Sequence, residues 1–213
     1  IMRSNIKEKI KSNARLKQFV LALIVHPVKT RPRWWIRLLQ FIYMKRGRKS
    51  VIYKNVRKDI VPFNSFILGE KSIIESFSTI NNMVGDITIG SQCRIGLGNT
   101  IIGPVKIGDN VNLGQNILIA GLHHNYTDPQ KTIISQGVRT SKIIIEDDVL
   151  IGANSVILAG ITIGQHSIIG AGTIVTQSVP PNSVVAGNPG KVIKQYNPQT
   201  KEWENIHHKI TDK

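Results

Sequence analysis

Aliphatic residues recur at every sixth position along most of this chain, and that spacing constrains the fold more than any other feature. A period of six matches neither the 3.6 residues of a helical turn nor the two-residue alternation of a flat strand. It matches a chain that turns a corner every six residues and sends one aliphatic side chain per short strand into a narrow interior. The sequence therefore predicts an all-β solenoid. The in-phase residues form two runs: Ile89, Ile95, Ile101, Ile107, Leu113, Ile119, and then Ile145, Ile151, Ile157, Ile163, Ile169, Val175.

The single cysteine falls within this repeat register. Cys93 stands two positions before Ile95, where other coils carry a small or apolar residue such as Val111 or Val149. We therefore expect it to be packed in the core and not to act as a nucleophile. One cysteine allows no intrachain disulfide, which favours a reducing, cytoplasmic location.

The net charge of +15 is concentrated at the N-terminus. Residues 1–60 contain 17 Lys and Arg against only Glu8 and Asp59, whereas residues 61–213 contain 11 basic and 11 acidic residues. The high isoelectric point therefore describes an arm attached to a neutral body. No recognition module accompanies the charge, so we expect no nucleic-acid partner.

The basic arm contains two apolar stretches. The first predicts a helix over residues 6–25, and the second covers residues 34–44 and is followed by a cluster of basic residues at 45–49. Neither stretch reaches the roughly 20 apolar residues that cross a bilayer. Paired Trp34 and Trp35 beside clustered cations are typical of a peripheral helix on the inner face of a membrane. The alternative is that the apolar faces pack on the solenoid or on a neighbouring subunit.

The repeat is interrupted once, at residues 121–142, and about 20 residues without the pattern must leave the solenoid as a loop. Long ordered loops on rigid scaffolds are common sites of binding and catalysis. This loop opens with His123 and His124, and an imidazole can accept a proton from a hydroxyl or amine near neutral pH. The candidate substrate contacts are His123, Asn125, Tyr126, Asp128 and Gln136.

The other histidines do not indicate a metal centre. His26, His166, His207 and His208 have no usual ligand spacing to the pair at 123–124. We expect no metal, although a zinc site assembled across subunits stays open as an alternative.

The chain resembles the hexapeptide-repeat acyltransferases, which fold as left-handed parallel β-helices, and is most similar to their galactoside/maltose and colanic acid acetyltransferase group. The resemblance covers residues 62–196. It rests on the repeats, on the segment 107–111 leading to 124–129, and on the terminal stretch 179–193, VPPNSVVAGNPGKVI. Many members of this group carry Trp where this chain has Leu150.

The resemblance implies that acetyl-CoA is the donor, that the protein is a homotrimer, and that His124 is the catalytic base. It implies CoA binding in a groove between subunits. The candidate contacts there are Gly152, Ala153, Gly170, Ala171, Asn188, Pro189, Lys191 and Lys194. Small residues let a pantetheine arm approach the backbone, and lysines can contact the CoA phosphates. Corner geometry and solvated surface charge are the alternative explanations of these residue types.

Together these features predict three regions: a basic helical arm at 1–60, a left-handed β-helix at 61–196, and a short C-terminal helix or tail at 197–213. The expected function is O-acetylation of a sugar hydroxyl in surface polysaccharide biosynthesis, with a free or lipid-linked sugar as acceptor. The alternatives are an N-acetyltransferase acting on an amino sugar, a zinc protein of the γ-carbonic anhydrase type, and a non-catalytic trimeric scaffold.

Overall fold

The computed structural model describes residues 12–206 and forms a left-handed parallel β-helix with three sheets. Sheet 1 contains β1 (Met44–Arg46), β4 (Phe66–Leu68), β7 (Ile87–Ile89), β10 (Val105–Ile107), β15 (Ile143–Ile145) and β18 (Thr162–Ile163). Sheet 2 contains β2 (Val51–Ile52), β5 (Ile73–Ile74), β8 (Arg94–Ile95), β11 (Asn112–Leu113), β16 (Leu150–Ile151), β19 (Ile168–Ile169), β21 (Ser183–Ala186), β22 (Lys191–Asn197) and β23 (Glu202–Asn205). Sheet 3 contains β3 (Arg57–Asp59), β6 (Thr79–Asn81), β9 (Thr100–Ile102), β12 (Leu118–Ala120), β17 (Val156–Ile157) and β20 (Ile174–Val175).

The core is the predicted aliphatic column. Each of the twelve in-phase residues is at most 1% exposed, from Ile89 at 0% to Val175 at 1%. Cys93 is buried in the same column, and its thiol donates to the carbonyl oxygen of Gly108 at 3.0 Å. The predicted packing role of Cys93 is therefore confirmed.

The solenoid begins earlier than residue 61, because β1, β2 and β3 already form a complete first coil. The domain boundary at 60 is corrected to the start of β1 at Met44. The period hides these coils: Phe66 pairs with Met44, 22 residues earlier, and Ile87 pairs with Phe66, 21 residues earlier, whereas Val105 pairs with Ile87 after 18. The extra residues extend the corner between sheets 3 and 1.

A buried asparagine closes these longer corners. The side chain of Asn82 accepts from the backbone N–H of Val61 at 2.8 Å and donates to the carbonyl of Asn64 at 2.8 Å. The amide thus supplies the hydrogen bonds that a longer corner would otherwise lack, since buried backbone polar groups need partners.

The N-terminal arm packs on this corner. Its described helices are α1 (Ala14–Ile24), α2 (Trp34–Leu38) and α3 (Gln40–Tyr43). Ile24 and Ile36 are buried against Val61, with half-buried apolar residues of the arm and corner around them. The first predicted helix is thus shorter at its described end, and its residues 6–11 lie outside the described part of the chain. Across residues 12–206 no helix has the length and apolarity needed to span a bilayer.

The C-terminus continues as strands, so the helix predicted around Trp203 is wrong. β22 runs antiparallel to β21, and β23 pairs antiparallel with β22, with Trp203 opposite Tyr196. A turn containing Lys201 at φ 59° reverses the chain between them. The Trp203 ring also stacks on His166, with centroids 6.3 Å apart, so cross-strand and side-chain packing stabilise the extended conformation.

Candidate functional site

The interrupted segment leaves the solenoid at the corner between sheets 3 and 1, which we call the loop edge. It forms a hairpin of β13 (Leu122–His124) and β14 (Val138–Thr140), connected through a 3-10 helix at Ile133–Gln136. The predicted loop at 121–142 therefore exists as a folded element with its own hydrogen bonds.

The hairpin leaves the body at a glycine that nothing larger can replace. A Cβ atom on Gly121 would lie 2.7 Å from the carbonyl oxygen of Pro104 and 2.8 Å from its nitrogen. The backbone N–H of Gly121 donates to Ile102 at 2.9 Å, and its carbonyl accepts from Ser141 at 3.0 Å. This close approach fixes the base of the hairpin against the coil below.

The two histidines lie on opposite faces of the hairpin, because successive residues of a strand alternate. His123 is half-buried and stands opposite Arg139, whereas His124 is exposed and stands opposite Val138. Directly opposite residues have neighbouring side chains. His123 therefore has a cation beside it, and His124 has an aliphatic neighbour.

The sequence did not single out Arg139. It is 16 positions from His123, and only the hairpin register makes the two residues neighbours.

The tip of the loop is organised by Gln136. Its Oε1 accepts from the backbone N–H of Asp128 at 3.0 Å, and its Nε2 donates to the carbonyls of Asp128 at 3.0 Å and Lys131 at 3.2 Å. Asn125 also bonds within the loop, since its Nδ2 donates to the carbonyl of Gln136 at 3.0 Å. These amides hold the loop in shape, a use that the sequence did not indicate.

Asp128 belongs to the same network. Its carboxylate accepts from Nζ of Lys131 at 2.7 Å and from the backbone N–H of Gln130 at 3.0 Å. The bond from Lys131 first, and that from Gln130 second, lower the pKa of Asp128 below its ordinary value. Tyr126 is the predicted substrate contact that projects most freely, with 68% of its surface exposed.

The predicted CoA contacts lie together along the corner between sheets 2 and 3, which we call the small-residue edge. Gly152 and Ala153 connect β16 to β17, and Gly170 and Ala171 connect β19 to β20. A Cβ atom on Gly152 would lie 2.5 Å from the backbone nitrogen of Ala171. Stacking of successive corners therefore already requires glycine at 152, whether or not a ligand lies there.

The turn between β21 and β22 continues the same edge. The backbone N–H of Ile174 donates to Gly187 at 3.1 Å, and that of Gly190 donates to Ile174 at 2.8 Å. These bonds bring the exposed Asn188–Pro189 peptide next to the corners of the two preceding coils. Lys191 and Lys194 follow on β22 and are exposed.

Within one chain, the histidines and the small residues occupy different edges on either side of sheet 3. The hairpin leaves after β12, the last strand of its coil, whereas the small residues precede β17 and β20. A thioester lying along the small-residue edge thus has sheet 3 between it and the hairpin of the same chain.

Leu150 occupies an outward position of sheet 2 just before the small-residue edge. It pairs with Asn112 on one side and Ile168 on the other, and is 42% exposed. An aliphatic surface therefore stands where many members of the resembled group have an aromatic ring.

A third corner, between sheets 1 and 2, contains the remaining described imidazole outside the arm. Nδ1 of His166 pairs with the carboxylate of Asp148 at 2.5 Å, and Trp203 stacks on the ring. Among residues 12–206, no three His, Cys, Asp or Glu side chains are grouped as metal ligands.

Comparison with known proteins agrees with this architecture. The family model described as the hexapeptide repeat of succinyl-transferase matches residues 86–120 and 142–177, the two blocks on either side of the hairpin. These matches and the observed coils identify the chain as a member of the hexapeptide-repeat family.

Curated relatives match a shorter part of the chain. A 2,3,4,5-tetrahydropyridine-2,6-dicarboxylate N-acetyltransferase of Staphylococcus aureus (strain JH9) is 48% identical over 88 residues, which are 41% of this chain and 32% of that protein. The chain thus spans about a third of the length of the curated relatives it matches.

Solved structures are similar over most of the chain. AntD, an N-acyltransferase from Bacillus cereus seen with dTDP-4-amino-4,6-dideoxyglucose and coenzyme A, has a TM-score of 0.65 at 22% identity, covering 77% of this chain and 90% of AntD. A maltose O-acetyltransferase from Clostridium difficile 630 has a TM-score of 0.51 at 26% identity and covers 88% of each chain. The likeness to AntD concerns the fold.

Proposed function

We propose that this chain is an acetyl-CoA-dependent O-acetyltransferase that acts on a sugar hydroxyl, in the assembly of a surface polysaccharide, with His124 as general base. The observation that carries the proposal is an exposed imidazole on a rigid hairpin that leaves the otherwise regular solenoid at a single point. The similarity to a maltose O-acetyltransferase supports a sugar hydroxyl as acceptor.

The proposed reaction is direct transfer. A ring nitrogen of His124 accepts the proton of the acceptor hydroxyl while the oxygen attacks the thioester carbonyl. The C–O bond forms, the C–S bond breaks, and the CoA thiolate then takes the proton from the imidazolium. A backbone N–H at Ala153 is our candidate donor to the oxyanion. Cys93 is buried in the core, so an acyl-cysteine intermediate is not part of the proposal.

The donor proposal rests on the small-residue edge. Gly152, Ala153, Gly170 and Ala171 leave room beside the backbone for a thin pantetheine arm. The cations of Lys191 and Lys194 lie beyond them on β22, where they can attract the phosphates of CoA. Solved neighbours bound to coenzyme A support this donor.

The proposed assembly is a homotrimer. The hairpin and the small-residue edge are separated by sheet 3 within one chain, so a neighbouring copy would have to bring a second small-residue edge to the hairpin. Sedimentation should then give about three times the 23.7 kDa of the chain. A monomer that turns over acetyl-CoA at full rate would refute this part of the proposal.

N-acetylation of an amino sugar is the second candidate. The relative from Staphylococcus aureus is an N-acetyltransferase, and AntD was solved with an amino-sugar nucleotide. An amine nucleophile has its own lone pair, so the same imidazole would remove the proton after attack and not before it.

Two non-transferase functions make different predictions. A zinc protein of the γ-carbonic anhydrase type would contain a stoichiometric metal bound across subunits, which metal analysis of the purified trimer would detect. A structural scaffold would not bind CoA.

The deciding experiment measures CoA release from acetyl-CoA with free sugars, amino sugars and lipid-linked sugars. We expect turnover with a hydroxyl acceptor and an O-acetyl ester as product, which mild base hydrolyses. An amide product would establish the N-acetyltransferase alternative. No CoA binding and no turnover with any acceptor would overturn the proposal.

A further inference from the structure

The N-terminal arm is amphipathic in three dimensions, with one side packed and the other uncovered. On α2 and α3 the packed side is formed by Ile36, at 3% exposure, and Gln40, whose Nε2 donates to the carbonyl of Lys58 at 3.1 Å. The residues on the other side are large and apolar, yet strongly exposed. They are Trp34 at 73%, Leu38 at 65%, Phe41 at 79% and Ile42 at 60%. We call these four residues the arm patch.

The spacing of the arm patch makes it one surface. Trp34 and Leu38 are four residues apart, and Leu38 is three and four residues from Phe41 and Ile42, so neighbouring side chains share a helical face. α1 repeats the arrangement, because Phe19 and Leu23 are exposed four residues apart while Ile24 is buried. Clustered exposed apolar surface of this kind marks an interaction site in a soluble protein.

The charge around the arm patch indicates what binds there. Arg37 lies within α2, and Lys45, Arg46 and Lys49 follow α3, all exposed. Within residues 12–60 the only acidic residue is Asp59, which is buried under Arg31 and Arg57. A homotypic contact through this surface would therefore bring cations against cations. An anionic surface with an apolar interior satisfies both features.

We propose that the arm patch docks on an anionic lipid surface, with the four apolar side chains in the acyl boundary and the basic residues on the headgroups. This docking does not depend on the reaction proposed above. Its consequence for the acceptor, however, rests on that reaction.

That consequence follows from the position of the arm. The arm packs on Val61 and is flanked by Phe63 and Met83, which belong to the loop edge of the first two coils. The hairpin with His124 leaves the same edge two coils further along, about 10 Å at the usual strand spacing. A docked arm would thus place the hairpin near the headgroups, where a lipid-linked sugar presents its hydroxyls.

Co-sedimentation of the full chain with vesicles tests the docking. We expect binding to phosphatidylglycerol vesicles at low salt, weakened by high salt, and little binding to phosphatidylcholine vesicles. The W34Q/F41Q variant should partition about tenfold or more less, because two large apolar side chains no longer enter the lipid. K45Q/K49Q should lose about fivefold per charge on the anionic vesicles.

The matched control is F77N. Phe77 is 68% exposed at the small-residue edge, and its φ of 62° suits Asn, so the variant removes an exposed aromatic ring elsewhere while preserving the fold. It should bind vesicles like the parent, and so should a variant of His124, which separates docking from chemistry.

Two results would overturn the inference. One is unchanged vesicle binding by W34Q/F41Q or no binding by the parent at low salt. The other is a lower oligomeric mass for W34Q/F41Q without vesicle binding by the parent, which would assign the arm patch to a second copy of the chain. Circular dichroism checks that each variant keeps the parent's fold.

Discussion

Arg31 and Asp59 join the N-terminal arm to the first coil, since Nε of Arg31 donates to Oδ1 of the fully buried Asp59 carboxylate at 3.1 Å. The other oxygen of Asp59 accepts from Arg57, its neighbour on β3, at 2.7 Å. The arm is therefore held by a charge-assisted bond as well as by the apolar contacts of Ile24 and Ile36.

R31Q should loosen the arm. Loss of a bond to a buried charge costs about 1.5–3 kcal/mol, and the partial exposure of Arg31 puts the effect at the lower end. Limited proteolysis should then cut faster between α1 and α2, while the solenoid stays intact. R48Q is the matched control, because Arg48 and Glu70 form an exposed pair that contributes little. Equal cleavage of the two variants would contradict this role of Arg31.

H124A should reduce turnover at least about 100-fold, since general-base catalysis contributes about 10²–10⁴-fold. Its affinity for CoA should stay close to that of the parent, because the proposed donor contacts lie on another edge. H166Q is the control: it removes an exposed imidazole paired with Asp148 at a third corner and should keep full turnover. Steady-state kinetics and CoA titration measure both quantities. A fully active H124A would exclude the assignment of the base.

Q136A should disorder the loop without unfolding the coils. The substitution removes three hydrogen bonds that Gln136 makes to Asp128 and Lys131, and the loop has little buried apolar surface to replace them. We expect lower turnover and faster proteolysis within residues 125–137, with an unchanged melting temperature of the body. I134Q changes a side chain that is 85% exposed and should leave all three measurements unaltered.

I157D should unfold the coils around β17. Ile157 is fully buried between Ile119 and Val175 of the adjacent coils, and an unpaired charge there has no partner. I157V keeps the packing apart from one methylene group and should cost about 0.5–1.5 kcal/mol. Urea unfolding followed by circular dichroism compares the two. A native-like I157D would argue against the stacked column as the source of stability.

Cys93 should be inert in the native protein. Burial, as the largest cause, raises the pKa of its thiol above the ordinary value of 9.0. The unfolded chain therefore releases this proton first, and the stability linked to Cys93 is lost as pH rises above about 9. C93A should keep its turnover and lose less stability than the parent over that alkaline range. Alkylation of Cys93 in the folded protein, with loss of activity, would contradict the direct-transfer mechanism.

The sequence predicted the regular part of the fold because each coil repeats the same requirement. A side chain that points into a narrow prism must be aliphatic, as at Ile107 and Ile157, and a fixed distance along the chain separates equivalent positions. The same regularity made the interruption at residue 121 visible, and with it the two histidines. The first coils escaped because their longer corners, closed by Asn82, broke the period.

The C-terminal strand and the partners within the loop depend on contacts between distant residues. Trp203 is extended because it packs on Tyr196 and His166, and Gln136 bonds to Asp128 because the loop folds back on itself. Local sequence carries no signal for either contact.

By itself, the sequence determined the solenoid, its aliphatic column and the place where the chain leaves it, because those features repeat along one dimension. Only the tertiary structure decided that His124 and the small residues occupy different edges, that Arg139 stands beside His123, and that the arm shares an edge with the hairpin. Those relationships depend on which corner each segment leaves from, and a corner is defined only once the three sheets have closed.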